Sequence, residues 1–432
     1  MKNILKYILV YISLILIFII TLLISCSFPT KMIHSNISQS ADTLIQEGNR
    51  KIVYIPYRRE KLQFDNYTDA LMINTSYSID SKSPLKSSLL ARKNYLPEKT
   101  KTIEQDNVGE LKSSSKYQYH NEVGELKDLV NNDVEESFEY ARYWHGYLVF
   151  LRPLMLFLNL DTIRVILTII LFVLFIMLFY LLEKRTNIII SIIFSLGLFC
   201  VEYFYLGFTL QGVFVFLISM IFSIVILVKK EKWKNEAIMF FIIGMLTNFF
   251  DFLTVPMITL GIPLIIVLLL NSKDLKNNLI DMIKLSLLWV LGYGLTWFTK
   301  WVLVDVILNR NLISTAIGQI KYRSIGRKYT LNEAIKPNYI YEKSFIYVSM
   351  IITVILTILY YKFGKKKIKV SELKEIVPYI LIGMMPYIWY GTLKNHSAEH
   401  SFFTYRNQLL TIICLNICVY KTLSYFLEKG CE

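Results

Sequence analysis

The sequence predicts an all-α polytopic membrane protein of about ten transmembrane helices. Of its 432 residues, 54% are hydrophobic, and they form repeated apolar runs close to the roughly 20 residues that a membrane helix needs. Lys and Arg, which give a net charge of +14, gather in the short connections between these runs, as the positive-inside rule predicts. The charge therefore indicates a basic cytoplasmic face. No arginine-aromatic module of a nucleic-acid binder accompanies it.

Ten apolar runs give the expected spans, and one long polar segment follows the first of them. The ranges are 7–25, 160–182, 188–204, 210–228, 237–254, 257–271, 283–303, 345–362, 376–392 and 407–427. The basic connections are 183–187, 229–236, 272–281 and 364–375, on the same side as Lys2. We therefore expect a multi-pass protein of the cell membrane with both termini in the cytoplasm. Residues 27–159, 305–344 and 393–406 would then lie outside.

This layout divides the chain into three parts. They are an N-terminal membrane anchor at 1–26, an extracytoplasmic loop with interfacial helices at 27–159, and a membrane domain at 160–432. A long polar loop within a membrane fold is usually functional. The anchor ends in Leu-Ile-Ser-Cys, which resembles a bacterial lipobox. The many later spans favour a retained anchor, and lipidation of Cys26 stays open.

The large loop contains a short duplication. Val-Gly-Glu-Leu-Lys occurs at 108–112 and again at 123–127, on either side of a stretch rich in Ser and Lys. This composition offers few apolar groups that could be buried. We therefore expect a mobile insertion here.

The first candidate site is a pair of carboxylates near the start of the large loop. Asp65 and Asp69 belong to the segment 64–79, and on a helix residues four apart share a face. One of them is the candidate catalytic carboxylate of an enzyme at the outer membrane surface. The alternative is a solvated pair at the start of a loop helix.

A second candidate site lies at 140–152, for which the spacing predicts an interfacial helix. Its aromatic residues would gather on one side, while Arg142, His145 and Arg152 fall within an arc of roughly 80° on the other. Aromatic side chains suit the headgroup zone, and Arg can bind a phosphate through two hydrogen bonds. We expect these cations to bind phosphate. The alternative is an aromatic anchor whose Arg residues touch lipid headgroups.

A third candidate site lies at 394–406, after the ninth span. His396 and His400 are four apart, and Glu399 and Arg406 form a neighbouring stripe that Tyr405 could support. Two His residues at this spacing could bind a metal, but the His-Glu-x-x-His arrangement of a metalloprotease does not occur. Contacts to a phosphate or a sugar are the stronger expectation, and a capped loop is the alternative.

Ionisable residues also stand at the outer ends of two spans. Asp251 lies near the outer end of the fifth span, and Lys300 and Asp305 flank Trp301 at the outer end of the seventh. A charge near the bilayer is costly, so such residues are candidates for function. Asp251 and Lys300 could instead form a purely structural pair, and a structural role is favoured for Asp305. No Walker motif, dinucleotide fingerprint or Gly-x-Ser-x-Gly elbow is present.

These features resemble the GT-C superfamily, the multi-span glycosyltransferases that use polyprenyl-phosphate-linked sugars. In that family a first span leads into a large outer loop with a catalytic acidic residue, which the resemblance assigns to Asp65 with Asp69 as a substitute. The run from Arg142 to Arg152 resembles the second loop helix of the family. The segment His396–Arg406 resembles the late outer loop that meets the donor phosphate in some members.

The resemblance implies an inverting sugar transfer with a carboxylate as general base. A general base removes the proton of the attacking hydroxyl, and fixed cations stabilise the charge that develops on the leaving phosphate. The implied partners are a polyprenyl-phosphate sugar, membrane lipids and an acceptor such as a cell-envelope glycan. A divalent metal stays open, because no Asp-x-Asp or tandem Asp supports one.

Other functions remain as alternatives. A flippase or transporter of lipid-linked glycans would use the same basic outer cavity, but inverted repeats with broken helices are not evident. A glycan polymerase or ligase would differ mainly in its acceptor. A membrane O-acyltransferase would need an acyl donor site on the inner face, and the sequence suggests none.

Overall fold

The computed structural model describes residues 2–53, 62–95, 122–132, 134, 136–229, 236–271, 274–326, 328–363 and 373–429. Within these residues the chain is almost entirely helical. The first copy of the duplicated Val-Gly-Glu-Leu-Lys lies outside the described residues.

The described residues of the first helix and the large loop form six α-helices and four short strands. They are α1 (Lys2–Cys26), α2 (His34–Glu47), β1 (Arg50–Val53), β2 (Leu62–Asp65), α3 (Asn66–Tyr77), α4 (Pro84–Leu90), β3 (Arg92–Asn94), α5 (Glu122–Asn131), β4 (Ser137–Glu139) and α6 (Leu148–Met155). Strand β1 pairs antiparallel with β2, and β3 pairs antiparallel with β4. The described part of the loop is therefore folded, and these two short strand pairs are an addition to a chain that is nearly all-α, as expected.

The rest of the described chain is helical. Its helices are α7 (Leu160–Arg185), α8 (Ile188–Cys200), α9 (Val213–Val228), α10 (Glu236–Phe250), α11 (Met257–Leu270), α12 (Leu275–Leu308), α13 (Leu312–Ile325), α14 (Leu331–Phe363), α15 (Val377–Thr392), α16 (Lys394–Glu399), α17 (Ser401–Thr404) and α18 (Gln408–Lys429). Short 3-10 turns join some of these helices.

Each of the ten expected spans coincides with a helix. In the part of the chain that the structure describes, five helical segments could cross a membrane by length and composition: Ile4–Cys26, Leu160–Arg185, Leu275–Leu308, Leu331–Phe363 and Ser401–Glu428. The other five helices are shorter. At 1.5 Å per residue, the 13 residues of α8 extend about 20 Å, less than the roughly 30 Å of a bilayer core. The structure is thus that of a helical membrane protein, and the count of ten spans stays a prediction.

Hydrogen bonds group the connections at two opposite ends of the helices. At one end the large loop meets later connections, since Leu210 N donates to Asp69 Oδ1 at 2.9 Å and Gly146 N donates to Phe249 O at 3.0 Å. At the other end Arg185 donates to Lys229 O. This division agrees with the predicted alternation of the loops. We call the first of these two ends the loop end.

Two parts of the expected loop structure are wrong. Residues 140–147 form turns, and only the helix α6 follows them, so the predicted helical wheel does not apply to Arg142 and His145. The second copy of the duplication is not a mobile insertion, because it lies in α5. Val123 and Leu126 of this helix are buried in a cluster with residues of α2 and α3. Apolar burial against two neighbours holds α5 in place.

Helices α10 and α12 approach closely through glycine. A Cβ atom at Gly292 would lie 2.2 Å from the carbonyl oxygen of Phe241, and one at Gly244 would lie 2.1 Å from that of Trp289. Such a contact is too short for any other residue without a shift of the backbone. The two helices can pack at this distance only because both positions lack a side chain.

The Gly292→Ala variant should be less stable than the parent protein. The added methyl group overpacks the interface between α10 and α12, at a cost of about 1–3 kcal/mol. Gly294→Ala, on the same helix, is the matched control, because a Cβ there meets nothing within 4 Å and Ala favours a helix by about 1 kcal/mol over Gly. Thermal unfolding in detergent measures both, and equal midpoints for the two variants would contradict the close packing.

Candidate active site

A cleft at the loop end gathers residues from four separate connections. The cavity itself is small, about 20 Å³, and it opens to solvent. Its lining residues are Asp65, Leu206, Thr209, Gln211, Gly212, Phe216, Thr254, Val255, Phe402, Phe403 and Arg406. One carboxylate and one guanidinium therefore face a mainly apolar cleft.

Asp65 enters the cleft from the N-terminus of α3. It is the last residue of β2 and the N-cap of α3, and its carboxylate accepts hydrogen bonds from Thr68 N at 3.2 Å and Thr68 Oγ1 at 2.5 Å. An Asp at this position satisfies a free amide and interacts favourably with the helix dipole. Asp65 and Asp69 thus do not occupy one helix face as expected, because Asp65 precedes the helix.

Asp69 is completely buried behind the cleft. Its Oδ1 accepts from Leu210 N, and its Oδ2 lies 3.5 Å from a guanidinium nitrogen of Arg164. Burial raises the pKa of Asp69 to about 7, while the nearby Arg164 and the Leu210 amide oppose this rise. The side chain thus connects α3 with α7 and with the connection after α8.

Arg164 joins Asp69 to two further polar residues in a hydrogen-bond network. Its guanidinium donates to Glu47 Oε2 at 2.9 Å and to Asn66 Oδ1 at 3.1 Å, and the Asn66 amide also donates to Glu47. Glu47 ends α2, Asn66 begins α3, and Arg164 lies in the first two turns of α7. The sequence contained a signal for this residue, since Arg164 stands inside an expected span, where a charge is unusual. We did not identify it from the sequence.

Arg406 is the cation of the cleft. Its side chain is nearly buried, its Nε donates to Val201 O at 3.3 Å, and its guanidinium carbon lies 4.9 Å from the centre of the Tyr405 ring. Tyr405 in turn donates its hydroxyl hydrogen to the carboxylate of Glu202. Glu202 has a left-handed backbone, with φ of 52°. It is a second buried charge inside an expected span that the sequence reasoning missed.

His396 and His400 lie beside the cleft rather than on its lining. Their rings are 4.7 Å apart, and His400 stacks on the cleft residue Phe403. His396 Nε2 lies 2.8 Å from Leu253 O. A carbonyl oxygen only accepts, so the histidine is the donor. Burial, with Arg323 nearby, lowers the pKa of His400 to about 4 and that of His396 well below its usual value. Both rings are therefore neutral at pH 7.

Polar residues of α13 and of the connection after it lie close to the pair of His396 and His400. Arg323 donates to Tyr143 Oη at 2.8 Å, and Glu399 accepts from Tyr322 at 2.8 Å and from Lys328 at 2.7 Å. We expected Glu399 to support the site, but it instead bonds to Tyr322 in α13 and to Lys328 after this helix. Arg323 was not among the candidate residues that the sequence indicated.

Arg142 and His145 lie next to Tyr143, away from the cleft lining. Trp297 donates its indole hydrogen to Arg142 O at 2.8 Å. His145 has φ of 56° and donates from Nε2 to Tyr140 O at 2.7 Å. Burial and the nearby Lys300 lower the pKa of His145 to about 3. The ring is therefore neutral and does not contribute the expected positive charge.

Arg152 does not reach the cleft. The side chain is completely buried, and its guanidinium donates to the backbone carbonyls of Ser25, Phe28 and Ser76. Three elements, α1, the turn after it and α3, are joined by this one residue. These contacts favour a structural role over the expected phosphate binding.

Asp251 and Lys300 do not form the structural ion pair that the sequence allowed. Lys300 donates to Leu89 O at 2.7 Å and to Ser88 O at 3.3 Å, while Asp251 accepts from Thr254 N at 3.0 Å. Asp305 accepts from Leu312 N at 2.6 Å, which is the structural contact that we favoured. All three residues therefore hold connections at the loop end.

A metal site is not evident in the described part of the chain. Groups of three or more His, Cys, Asp or Glu side chains that could hold a metal ion are not found there. The need for a divalent cation therefore stays open.

Removing the charge of Arg164 should destabilise the protein strongly. Arg164→Met leaves the buried carboxylate of Asp69 and the partly buried carboxylate of Glu47 without their cation, at a cost of about 3–5 kcal/mol. Lys127→Met breaks the exposed ion pair with Asp42, at 2.6 Å, and should cost less than about 1 kcal/mol. Thermal unfolding in detergent distinguishes them. Equal losses would show that the Arg164 network does not hold the loop.

The neutral state of His145 predicts a pH dependence of stability. The unfolded chain binds a proton at His145 below about pH 6.5, while the folded ring stays neutral until near pH 3. Stability is thus complete above pH 6.5 and falls with pH, by about 2 kcal/mol at pH 5 for this residue. In His145→Asn, whose side chain tolerates the left-handed backbone, the loss between pH 7.5 and pH 5 should be smaller by that amount. Equal losses in parent and variant would contradict a neutral His145.

Comparisons with known proteins add no identification. The sequence matches no protein-family model, and neither the curated proteins nor the solved structures give a significant match. The resemblance to the GT-C superfamily therefore remains an expectation based on the layout of the chain, and the contacts around the cleft are the basis for a functional proposal.

Proposed function

We propose that the protein is a membrane glycosyltransferase that moves a sugar from a polyprenyl-phosphate donor to an acceptor glycan on the outer face. The observation that carries the proposal is that Asp65 and Arg406 line one cleft. Asp65 is the general base and Arg406 contacts the donor phosphate. The other expected phosphate ligands, Arg142, His145, Arg152, His396 and His400, are not needed for direct contact.

The reaction is a single displacement at the anomeric carbon. The acceptor oxygen forms the new glycosidic bond, its proton passes to the carboxylate of Asp65, and the bond between the sugar and the lipid phosphate breaks. The electron pair leaves on the phosphate oxygen, whose charge Arg406 stabilises by hydrogen bonds. Such a reaction inverts the anomeric centre.

The position of Asp65 favours it over Asp69 as the base. Asp65 lies on the cleft lining, while Asp69 is fully buried and in contact with Leu210 and Arg164. A base must reach the proton that it removes within hydrogen-bond distance. Asp69 therefore acts as a positioning residue that holds α3.

The remaining wall of the cleft suits a donor with an apolar chain. Leu206, Phe216, Phe402 and Phe403 line it beside the two charged groups. Aromatic and aliphatic walls with few polar groups are typical of sites for apolar ligands. A polyprenyl phosphate combines an apolar chain with an anionic head, as this lining requires.

Asp65→Asn should abolish sugar transfer and preserve folding. Asn is also a good N-cap, so α3 should persist, while loss of a general base lowers the rate by about 10²–10⁴-fold. Asp80→Asn is the matched control, because Asp80 is an exposed carboxylate that accepts from Lys82 N and Ser83 Oγ in the same loop. The assay follows labelled polyprenyl-phosphate sugar into a glycan, with the protein in lipid nanodiscs.

Arg406→Gln in the same assay should lower the rate by about 10²–10³-fold, as loss of one stabilising donor does. Arg310→Gln, at an exposed ion pair with Glu139, serves as its control. Full transfer by Asp65→Asn would overturn the assignment of the base. Movement of the lipid-linked sugar across proteoliposome membranes without a new glycosidic bond would instead establish a flippase.

A further inference from the structure

The helix α13 rests on the protein with one side only. It follows the end of the candidate span α12, and Ala316 and Gln319 are its buried residues. Arg323 on this side donates to Tyr143, and Tyr322 bonds to Glu399. These contacts hold α13 against the loop end and leave its opposite side uncovered.

The uncovered side is divided into an apolar and a polar flank. At 100° per residue, Ile313, Ile317 and Ile320 fall within an arc of about 60°. The side chains of Ile317 and Ile320 are 45% and 43% exposed. Ser314 and Lys321, also exposed, lie on the other flank, together with the last residue of the helix, Ile325, which is 74% exposed. We call Ile313, Ile317 and Ile320 the isoleucine flank. This division is typical of a helix that lies in a membrane surface.

The surface next to α13 indicates what covers the isoleucine flank. Val306 and Ile307 in the last turn of α12 are 77% and 45% exposed, and α12 is a candidate membrane span. The exposed apolar side of this span therefore reaches almost to the start of α13. Arg310 and Lys321 are basic groups beside it, and such residues are attracted to anionic headgroups.

We propose that α13 is a membrane-surface helix whose isoleucine flank lies at the boundary between the headgroups and acyl chains of an anionic phospholipid leaflet. Burial of the exposed parts of Ile317 and Ile320 in this zone favours the bound position. Ser314 faces the water, and Lys321 lies at the level of the headgroups. The surface role of α13 does not depend on the transferase chemistry, so either proposal can fail alone.

Depth-dependent fluorescence quenching tests this placement in the complete protein. Ile317→Cys and Ile320→Cys are labelled with bimane in nanodiscs of phosphatidylcholine and phosphatidylglycerol, and Ser314→Cys is the matched control on the same helix. The described native cysteines are buried or half-buried, and the parent protein treated in the same way gives the background. Quenchers are a nitroxide near the glycerol end of the lipid chain, and aqueous iodide.

Labels at Ile317 and Ile320 should be quenched by the lipid nitroxide and protected from iodide, with the reverse pattern at Ser314. Iodide quenching of all three labels to the same extent would place the helix in water and overturn the proposal. Protection of the isoleucine flank from both quenchers would show that protein covers it, such as a second copy of the chain, and would also overturn it. Transferase activity plays no part in this readout.

Discussion

The buried guanidinium of Arg164 fixes the large loop on the membrane helices. It stands on α7, and burial of an isolated charge costs several kcal/mol unless partners offset it. The partners are Glu47, Asn66 and Asp69, which come from α2 and α3. The charge is therefore compensated only when both loop helices are docked. Because Asp65 is the N-cap of the same α3, docking of this helix also brings the candidate base to the cleft.

Burial separates the cations of the loop end into different roles. His145 and His400 are neutral because their surroundings disfavour charge, and the donors of Arg152 are taken by three backbone carbonyls. A phosphate contact needs a charged donor that is directed at open space. Among the predicted cations that the structure describes, Arg406 is the one that lines the cleft. Its position, rather than the total positive charge, carries the functional proposal.

The sequence predicted the helices better than the site, for a physical reason. A membrane helix is specified locally by an apolar run, so all ten expected spans coincide with helices. Side-chain roles depend on partners far away in the chain: Arg152 bonds to Ser25 and Ser76, and Asp69 bonds to Leu210. Arg164 and Glu202 could have been found as charges inside apolar runs. The turns at 140–147 could not, because their aromatic spacing also fits a helix.

The cleft joins two requirements that usually conflict in one site. A carboxylate and a guanidinium need hydrogen-bond partners, while an apolar chain needs a wall without them. Here the partners come from behind the wall: Thr68 bonds to Asp65, and Val201 O with the Tyr405 ring holds Arg406. Leu206, Phe402 and Phe403 are thereby left to form the wall itself. Under the proposed function, the anionic head and the apolar chain of one donor would meet these two surfaces at once, which a soluble sugar phosphate could not do.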